Sequence, residues 1–316
     1  MKAEYVLGID TSNYTTSVAA FTLDGRLIAN EKAPLPVKSG ECGLRQSDAV
    51  FAHIKNIPEL MERLSSHLDA AEPVAIGVSE RPRNVDGSYM PCFLSGVAVA
   101  EGMRTVCGVP LYKFSHQCGH IMAALYSANR FDLLEREFVA FHISGGTTEM
   151  LKVTPDKYSF RAELIGGTAD LNAGQVIDRI GVRLGLNFPC GRELEKLALK
   201  NQKKIPKKKI SGKNLEINLS GLENMAVKLY EQTNDAPLVA AFTLDYIANS
   251  LIYLVKEYEN RYGFTEFVFA GGVMSNSIIK EKLSAICCAS FAEPVLSADN
   301  AVGIAALCLR KYNLEK

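Results

Sequence analysis

Ser144-Gly145-Gly146-Thr147-Thr148 places two glycines and three hydroxyls in five residues. Adjacent glycines let the backbone turn sharply and approach a ligand with no Cβ in the way. Backbone N–H groups in such a turn can converge on an anion, and Ser and Thr hydroxyls add donors. The chemistry this suits is phosphate clamping, and the alternative is a turn that only reverses the chain. A second candidate is the pair His116 and His120, four residues apart. On a helix they share one face and can hold a metal ion together, or they can simply pack. Cys118 lies two residues from each, on the opposite side. Gln117 stands where a zinc-protease motif needs its glutamate base, which argues against metalloprotease chemistry.

The flanking segments position these groups. Residues 138–143 form an apolar run suited to a buried strand, and 149–153 to a second. Strand, hydroxyl-lined turn, strand also describes 5–31: an apolar run ends at Asp10-Thr11-Ser12, and 16–21 follows. Asp24-Gly25 then turns into 27–31. Each half of the chain thus carries a hydroxyl-lined hairpin, which predicts a duplicated fold gripping one ligand. A third turn, Gly271-Gly272, follows the apolar strand 267–270 and precedes Asn276. Strand, Gly-Gly, helix is a nucleotide-site pattern.

Helical spacing is read over 47–68, with Pro58 kinking or interrupting it, and over 93–107, 236–258 and 301–312. Ser115 is a candidate N-cap for the histidine helix. The loop after strand 74–78 is polar and irregular, either a site or a solvated connection. Asp178, on the helix after Gly166-Gly167, can face a ligand hydroxyl or solvent. Glu195, after the turn Pro189-Cys190-Gly191-Arg192, has the same two readings. Residues 218–222 read as a turn. Asp299 can cap the closing helix or serve as a third metal ligand.

At 316 residues the chain has room for two domains. Lysine plus arginine equals aspartate plus glutamate, 35 each. General electrostatic attraction to nucleic acid is therefore absent, and any RNA contact needs a local patch. One exists: Lys203, Lys204, Lys207, Lys208, Lys209 and Lys213, a basic loop that can contact phosphates or remain solvated. The eight cysteines include no Cys-x-x-Cys pair and read as reduced thiols of a cytoplasmic protein. The early first strand leaves no room for a leader, and the apolar run 301–309 is too short to span a bilayer, so no membrane partner is expected.

These residues in this order resemble the TsaD-type family, the universal tRNA threonylcarbamoyladenosine transferases. The family's Gly-Ile-Glu-Thr-Ser appears as Gly8-Ile9-Asp10-Thr11-Ser12, and its His-x-Glu-Gly-His as residues 116–120. Ser-Gly-Gly-His-Thr becomes 144–148, Pro-Gly-Gly-Pro becomes 189–192, and Ser-Gly-Leu-Lys becomes 220–223. Gly-Gly-Val-x-x-Asn is 271–276, and Thr-Asp-Asn is Ala298-Asp299-Asn300. The resemblance implies an α/β, duplicated two-domain actin-like ATPase (ASKHA) fold with a nucleotide cleft between the halves. One domain would span 1–133 and be completed by 300–316; the other would span 134–299. It implies one iron or zinc ion on His116, His120 and Asp299, and bound ATP, ADP or an acyl-adenylate. The nucleotide would meet Asp10, Thr11, Ser12, Ser144, Gly145, Gly146, Thr147, Gly271 and Gly272. Asp178, Gly191, Glu195 and Asn276 would surround its ribose and base. Partner subunits are implied too, either paralogous family members in a hetero-oligomer or a second copy in a homodimer.

Several family carboxylates are replaced, at Tyr14, Thr15, Cys118, Leu171 and Gln175, and the family's Gly-Pro-Gly loop becomes a longer segment around Arg81-Pro82-Arg83. This combination describes a diverged paralogue. Three functions are open to it: metal-assisted threonylcarbamoyl transfer to tRNA, carbamoyl transfer to another acceptor, and nucleotide-dependent binding without turnover.

Overall fold

A computed structural model describes residues 3–12, 14–36, 44–293, 295–296 and 300–316. In chain order the first elements are β1 (Glu4–Asp10), β2 (Thr15–Thr22), β3 (Leu27–Pro34), α1 (Gln46–Ser65), β4 (Glu72–Arg81), α2 (Phe93–Cys107), β5 (Leu111–Ser115) and α3 (His116–Ser127). Next come β6 (Phe138–Ile143), β7 (Thr148–Asp156), β8 (Ser159–Thr168), α4 (Ala173–Arg183), α5 (Gly191–Ala198), β9 (Gly212–Lys213), β10 (Glu216–Ile217), α6 (Ser220–Thr233), α7 (Ala236–Tyr262), β11 (Phe267–Ala270), α8 (Ser277–Ser284) and β12 (Ala289–Phe291). The last is α9 (Val302–Glu315). Two compact units result. Unit 1 is Met1–Arg136, Thr154–Ala162 and Ala298–Lys316, and unit 2 is Glu137–Val153 and Glu163–Ser297.

The duplication expected from the two hairpins is written in the sheets. Unit 1 orders its strands β3-β2-β1-β4-β5. Unit 2 runs β8-β7-β6-β11-β12, with the small β9/β10 hairpin added beyond β8. In unit 1, β1 pairs antiparallel with β2 and parallel with β4, which is parallel to β5. In unit 2, β6 pairs antiparallel with β7 and parallel with β11, which is parallel to β12. The carboxyl ends of three parallel strands therefore share one edge in each sheet, and open α/β sheets bind ligands at such an edge.

Burial on both faces explains the continuous apolar strands. Val6, Leu7 and Ile9 are buried on β1, and Phe267, Val268 and Phe269 on β11. Helix α1 runs unbroken through Pro58, contrary to the interruption read from sequence. Its buried stripe of Ala49, His53, Ile57, Leu60 and Leu64 continues past the proline, which lies exposed, so packing outweighs one missing backbone bond. Residues 218–222 are not a free turn either, because α6 begins at Ser220. The Asp170 carboxylate, fifty residues earlier, accepts the N–H groups of Leu219 at 2.8 Å and Ser220 at 3.1 Å. Helix α7 has the length and hydropathy of a membrane span, yet 78% of its apolar window is buried, so it serves as the core helix of unit 2.

Candidate functional site

In unit 1 the parallel strands deliver three polar groups to one point. Asp10 ends β1, Ser79 lies near the end of β4, and His116 follows the end of β5. The Asp10 carboxylate is fully buried. It accepts hydrogen bonds from Ser12 Oγ at 2.6 Å, from Ser79 Oγ, and from His116 Nδ1 at 3.3 Å. Burial alone would push its carboxyl up. The His116 charge and the three donors outweigh burial and hold it below the usual carboxylate range. An ionised Asp10 can only accept, so His116 Nδ1 carries the proton. A neutral His116 then has its lone pair on Nε2, the tautomer a metal-ligating histidine needs when a carboxylate orients it.

Ser115 caps α3 by accepting the Cys118 N–H at 3.2 Å, as its position suggested. The rings of His116 and His120 meet edge-on with centroids 4.3 Å apart. Two imidazoles on one helix face, one held by a buried carboxylate, fit a borderline metal such as iron or zinc. The third ligand read from sequence, Asp299, lies outside the described residues, and among those residues no group of three metal-ligating side chains forms.

A buried histidine that the sequence did not single out stands in the same unit. His53, on α1, has Nδ1 2.9 Å from Thr16 Oγ1, which also receives Asn56 Nδ2 at 3.1 Å. Its Nε2 is buried without a partner among the described residues. Desolvation lowers its pKa from 6.5 to about 4, against a raising pull from Asp10. Because the folded value is depressed, the unfolded chain takes up the proton first. The stabilisation is present above pH 6.5 and is lost as pH falls towards 4. The loss amounts to about 2–3 kcal/mol. Urea unfolding at pH 7 and pH 4.5 is expected to show that much more acid destabilisation in the wild type than in a His53→Gln variant.

In unit 2 the turn after β6 and the turn after β11 occupy the corresponding edge. Ser144 N–H donates to Thr147 O at 2.8 Å, and Gly146 N–H to Ser144 Oγ at 3.3 Å. The start of α4 is tied to this turn. Ala173 N–H donates to Thr148 Oγ1 at 2.9 Å, and Gly174 N–H to Ser144 O at 3.2 Å. Gly271 is dictated by the protein itself, since its φ is +100° and a Cβ would lie 2.2 Å from Ile143 O. Gly145, Gly146 and Gly272 are different. All three are exposed, none has a left-handed φ, and a Cβ on any of them would meet no atom of the described residues within 4 Å. Their bare backbone leaves room that no described residue fills, which is what a phosphate cradle requires.

The remaining expected nucleotide residues each make hydrogen bonds within the protein. Asp178 accepts the Cys190 N–H at 2.7 Å, beside Gly191, and its half-buried carboxyl is raised by desolvation. Glu195 Oε1 accepts from Ser277 N at 2.6 Å and Ser277 Oγ at 2.5 Å, linking α5 to the start of α8. Asn276 caps α8 by accepting the Ile279 N–H at 3.1 Å. Thr11 is held within unit 1: its hydroxyl donates to Cys92 O at 3.1 Å and accepts Gly96 N–H at 3.1 Å. Ser79 and Ser277 went unnoticed in the sequence. Each is a lone serine whose partner lies 69 or 82 residues away, and only the strand alignment of β1 with β4 hints at the first.

Comparison with known proteins decides the family. A model described as TsaD, tRNA N6-adenosine threonylcarbamoyltransferase, matches residues 38–306. The chain belongs to the TsaD family. The tRNA N6-adenosine threonylcarbamoyltransferase of Streptococcus suis (strain 05ZYH33) is 30% identical across 100% of this chain and 94% of its own. That of Streptococcus pneumoniae (strain Taiwan19F-14) is 29% identical over 90% of this chain and 84% of its own. Among solved structures, a ROK family protein from Streptococcus pneumoniae TIGR4 in complex with sucrose superposes with a TM-score of 0.58 at 10% identity, covering 98% of this chain and 99% of that one. Component A of the (R)-2-hydroxyglutaryl-CoA dehydratase of Acidaminococcus fermentans gives 0.56 at 15%, covering 99% and 100%. These likenesses show the fold alone, the two-domain α/β actin-like ATPase fold of the sugar kinases.

TsaD proteins are acyl-group transferases acting on tRNA, and three of the positions where this TsaD chain lacks family carboxylates, 118, 171 and 175, have structural occupants. Cys118 is buried, and its thiol donates to Phe160 O at 3.5 Å. A carboxylate there would be desolvated. Gln175 Oε1 accepts the Asn172 N–H at 3.1 Å, completing the capping box of α4. Leu171 packs against the core of unit 2.

Proposed function

We propose that this chain transfers a threonylcarbamoyl group from its adenylate to a tRNA adenosine. The observation that carries the reading is the bare backbone at Gly145, Gly146 and Gly272, at the strand ends where this fold family binds ligands. The nucleotide part of the adenylate, or ATP or ADP, lies against Ser144, Gly145, Gly146, Thr147 and Gly272. Asp178, Gly191, Glu195 and Asn276 frame its ribose and base, the last two through the free edges of side chains already anchored to α8. Asp10 fixes the His116 tautomer from below, and Ser12 and Ser79 keep Asp10 ionised. His116 and His120, with Asp299, would hold an iron or zinc ion, which would supply Lewis-acid polarisation when bound.

In the reaction the exocyclic amine of the adenosine attacks the threonylcarbamoyl carbonyl carbon. The new C–N bond forms, the C–O bond to the phosphate breaks, AMP leaves, and the amine gives up one proton. The N–H groups of Gly145 and Thr147, which the turn itself does not use, stabilise negative charge gathering on the phosphate side. The tRNA substrate places the chain in the cytoplasm, working with a family partner subunit or a second copy of itself. The relatives do not favour transfer to another acceptor or binding without turnover.

The test mixes purified protein, threonylcarbamoyl-adenylate and unmodified tRNA, with and without family partner proteins, and reads modified adenosine by mass spectrometry. Product is expected from the wild type and absent from His116→Ala. Asp10→Asn is expected to bind metal about 10–100-fold more weakly, read as metal content by elemental analysis. No product from protein shown to bind both metal and nucleotide would overturn the reading.

A further inference from the structure

Residues 191–213 carry nine lysines and arginines against two glutamates, a local net charge of +7 in a chain whose total is 0. The fold turns this composition into a surface. Arg192 and Lys196 lie four residues apart on α5 and share one face, and Lys200 follows another four on, in the turn that extends the helix. All three are exposed. Four helical residues rise about 6 Å, a step comparable to that between successive phosphates of one strand.

The loop that follows is held at both ends. Ile205 and Ile210 pack against the unit 2 core, so Lys207, Lys208 and Lys209 between them face solvent. Asn201 braces the entry by accepting Lys203 N–H at 3.1 Å and donating to Lys203 O at 2.8 Å. Ser211 N–H donates to Tyr246 OH at 3.4 Å at the exit. Lys196 pairs with Glu193 at 2.8 Å and Lys203 with Asp235 at 2.7 Å. Arg192, Lys200, Lys204 and the three central lysines make no ion pair among the described residues. Holding like charges together without counterions is unfavourable unless an anionic partner neutralises them.

We infer that the exposed face of α5 and the lysine loop form one continuous ridge that binds the phosphodiester backbone of the tRNA substrate. The inference rests on the transfer reading above and adds the surface that holds the acceptor. The ridge begins at Gly191, one residue after the Cys190 N–H that Asp178 holds. Bound RNA is thereby led towards the nucleotide turns of the same unit. A lipid surface fits less well, because Leu199 is the one large exposed apolar side chain in the segment and offers little to insert.

The test measures tRNA binding against salt for the wild type, for Lys207→Glu/Lys208→Glu/Lys209→Glu, and for the milder triple glutamine variant. ADP binding serves as the folding control. The glutamate triple is expected to bind tRNA at least tenfold more weakly at low salt, and the slope of log K against log salt to fall by about 2–3. The glutamine triple should show the same fall in slope, with ADP affinity unchanged in both. Lys200→Glu alone should lower the slope by about 1. Unchanged tRNA affinity and slope in folded variants would overturn the ridge, even if transfer proceeds. A ridge-dependent slope in a chain that makes no product would sustain the ridge and sink the transfer. Wild-type binding to phosphatidylserine vesicles with none to tRNA would also overturn it.

Discussion

Replacing Gly303 with alanine is expected to destabilise unit 1 by about 3 kcal/mol or more. Helices α3 and α9 cross where Gly119 faces Gly303, and a Cβ on Gly303 would lie 1.8 Å from Gly119 O and 2.8 Å from Ala123 N. These are backbone atoms of a buried helix and cannot rotate aside. The cost therefore falls on the separation of two helices whose inner faces, 117–125 and 302–309, are buried along their length. His116 and His120 ride on α3, so metal content should fall with stability. Urea unfolding measures the first and elemental analysis the second. Gly102→Ala is the matched control: Gly102 is exposed within α2, nothing lies within 4 Å of a Cβ there, and helix propensity favours alanine by about 1 kcal/mol. A Gly303→Ala midpoint equal to that of the wild type would remove the close crossing from the account.

The double variant Gly145→Ala/Gly146→Ala should do the reverse. Its stability is expected to stay within about 0.5 kcal/mol of wild type, because neither new methyl meets a protein atom within 4 Å. Nucleotide affinity is expected to fall about 100-fold, roughly 2.7 kcal/mol, because the methyls occupy the room a phosphate would take. Calorimetric titration with ADP decides it. Wild-type affinity in the variant would mean that these glycines only turn the chain. Loss of fold would mean that the turn depends on them for geometry.

Much of the architecture was legible because its signals are local. The apolar run before Asp10 and the one before Ser144 mark strands by composition alone, and the hydroxyl-bearing segments after them, with two glycines in the second, mark turns. Two such hairpins in one chain announced the duplicated sheet. The site was legible as a set of residues and less so as a set of roles. Asn276 and Thr11 are polar groups beside a strand end, as a ligand contact would be, yet the first caps α8 and the second engages the backbone of α2. A side chain that can hydrogen-bond a ribose can equally hydrogen-bond a helix terminus, and the sequence looks the same in both cases. Distant pairings were the least visible. Nothing near Ser220 says that Asp170 will cap its helix, and nothing near Ser79 says that its hydroxyl will serve Asp10. Pro58 misled for the complementary reason: a local rule about helices yielded to a buried stripe that continues on both sides of it.

Helix α9 lies last in the chain and belongs to the unit that begins it. Its residues 302–309 are buried in unit 1, where a Cβ on Gly8 of β1 would lie 2.5 Å from Ala305 N and one on Gly77 of β4 would lie 2.8 Å from Cys308 Cβ. A ribosome releases β1 long before α9, with the 163–297 segment of unit 2 between them, and domains otherwise tend to fold as they emerge. Unit 1 must therefore wait, with one face of its sheet uncovered, until α9 has emerged. Messages truncated ahead of the α9 codons would spoil unit 1 and spare unit 2, so translation through α9 is a condition for assembling the histidine pair.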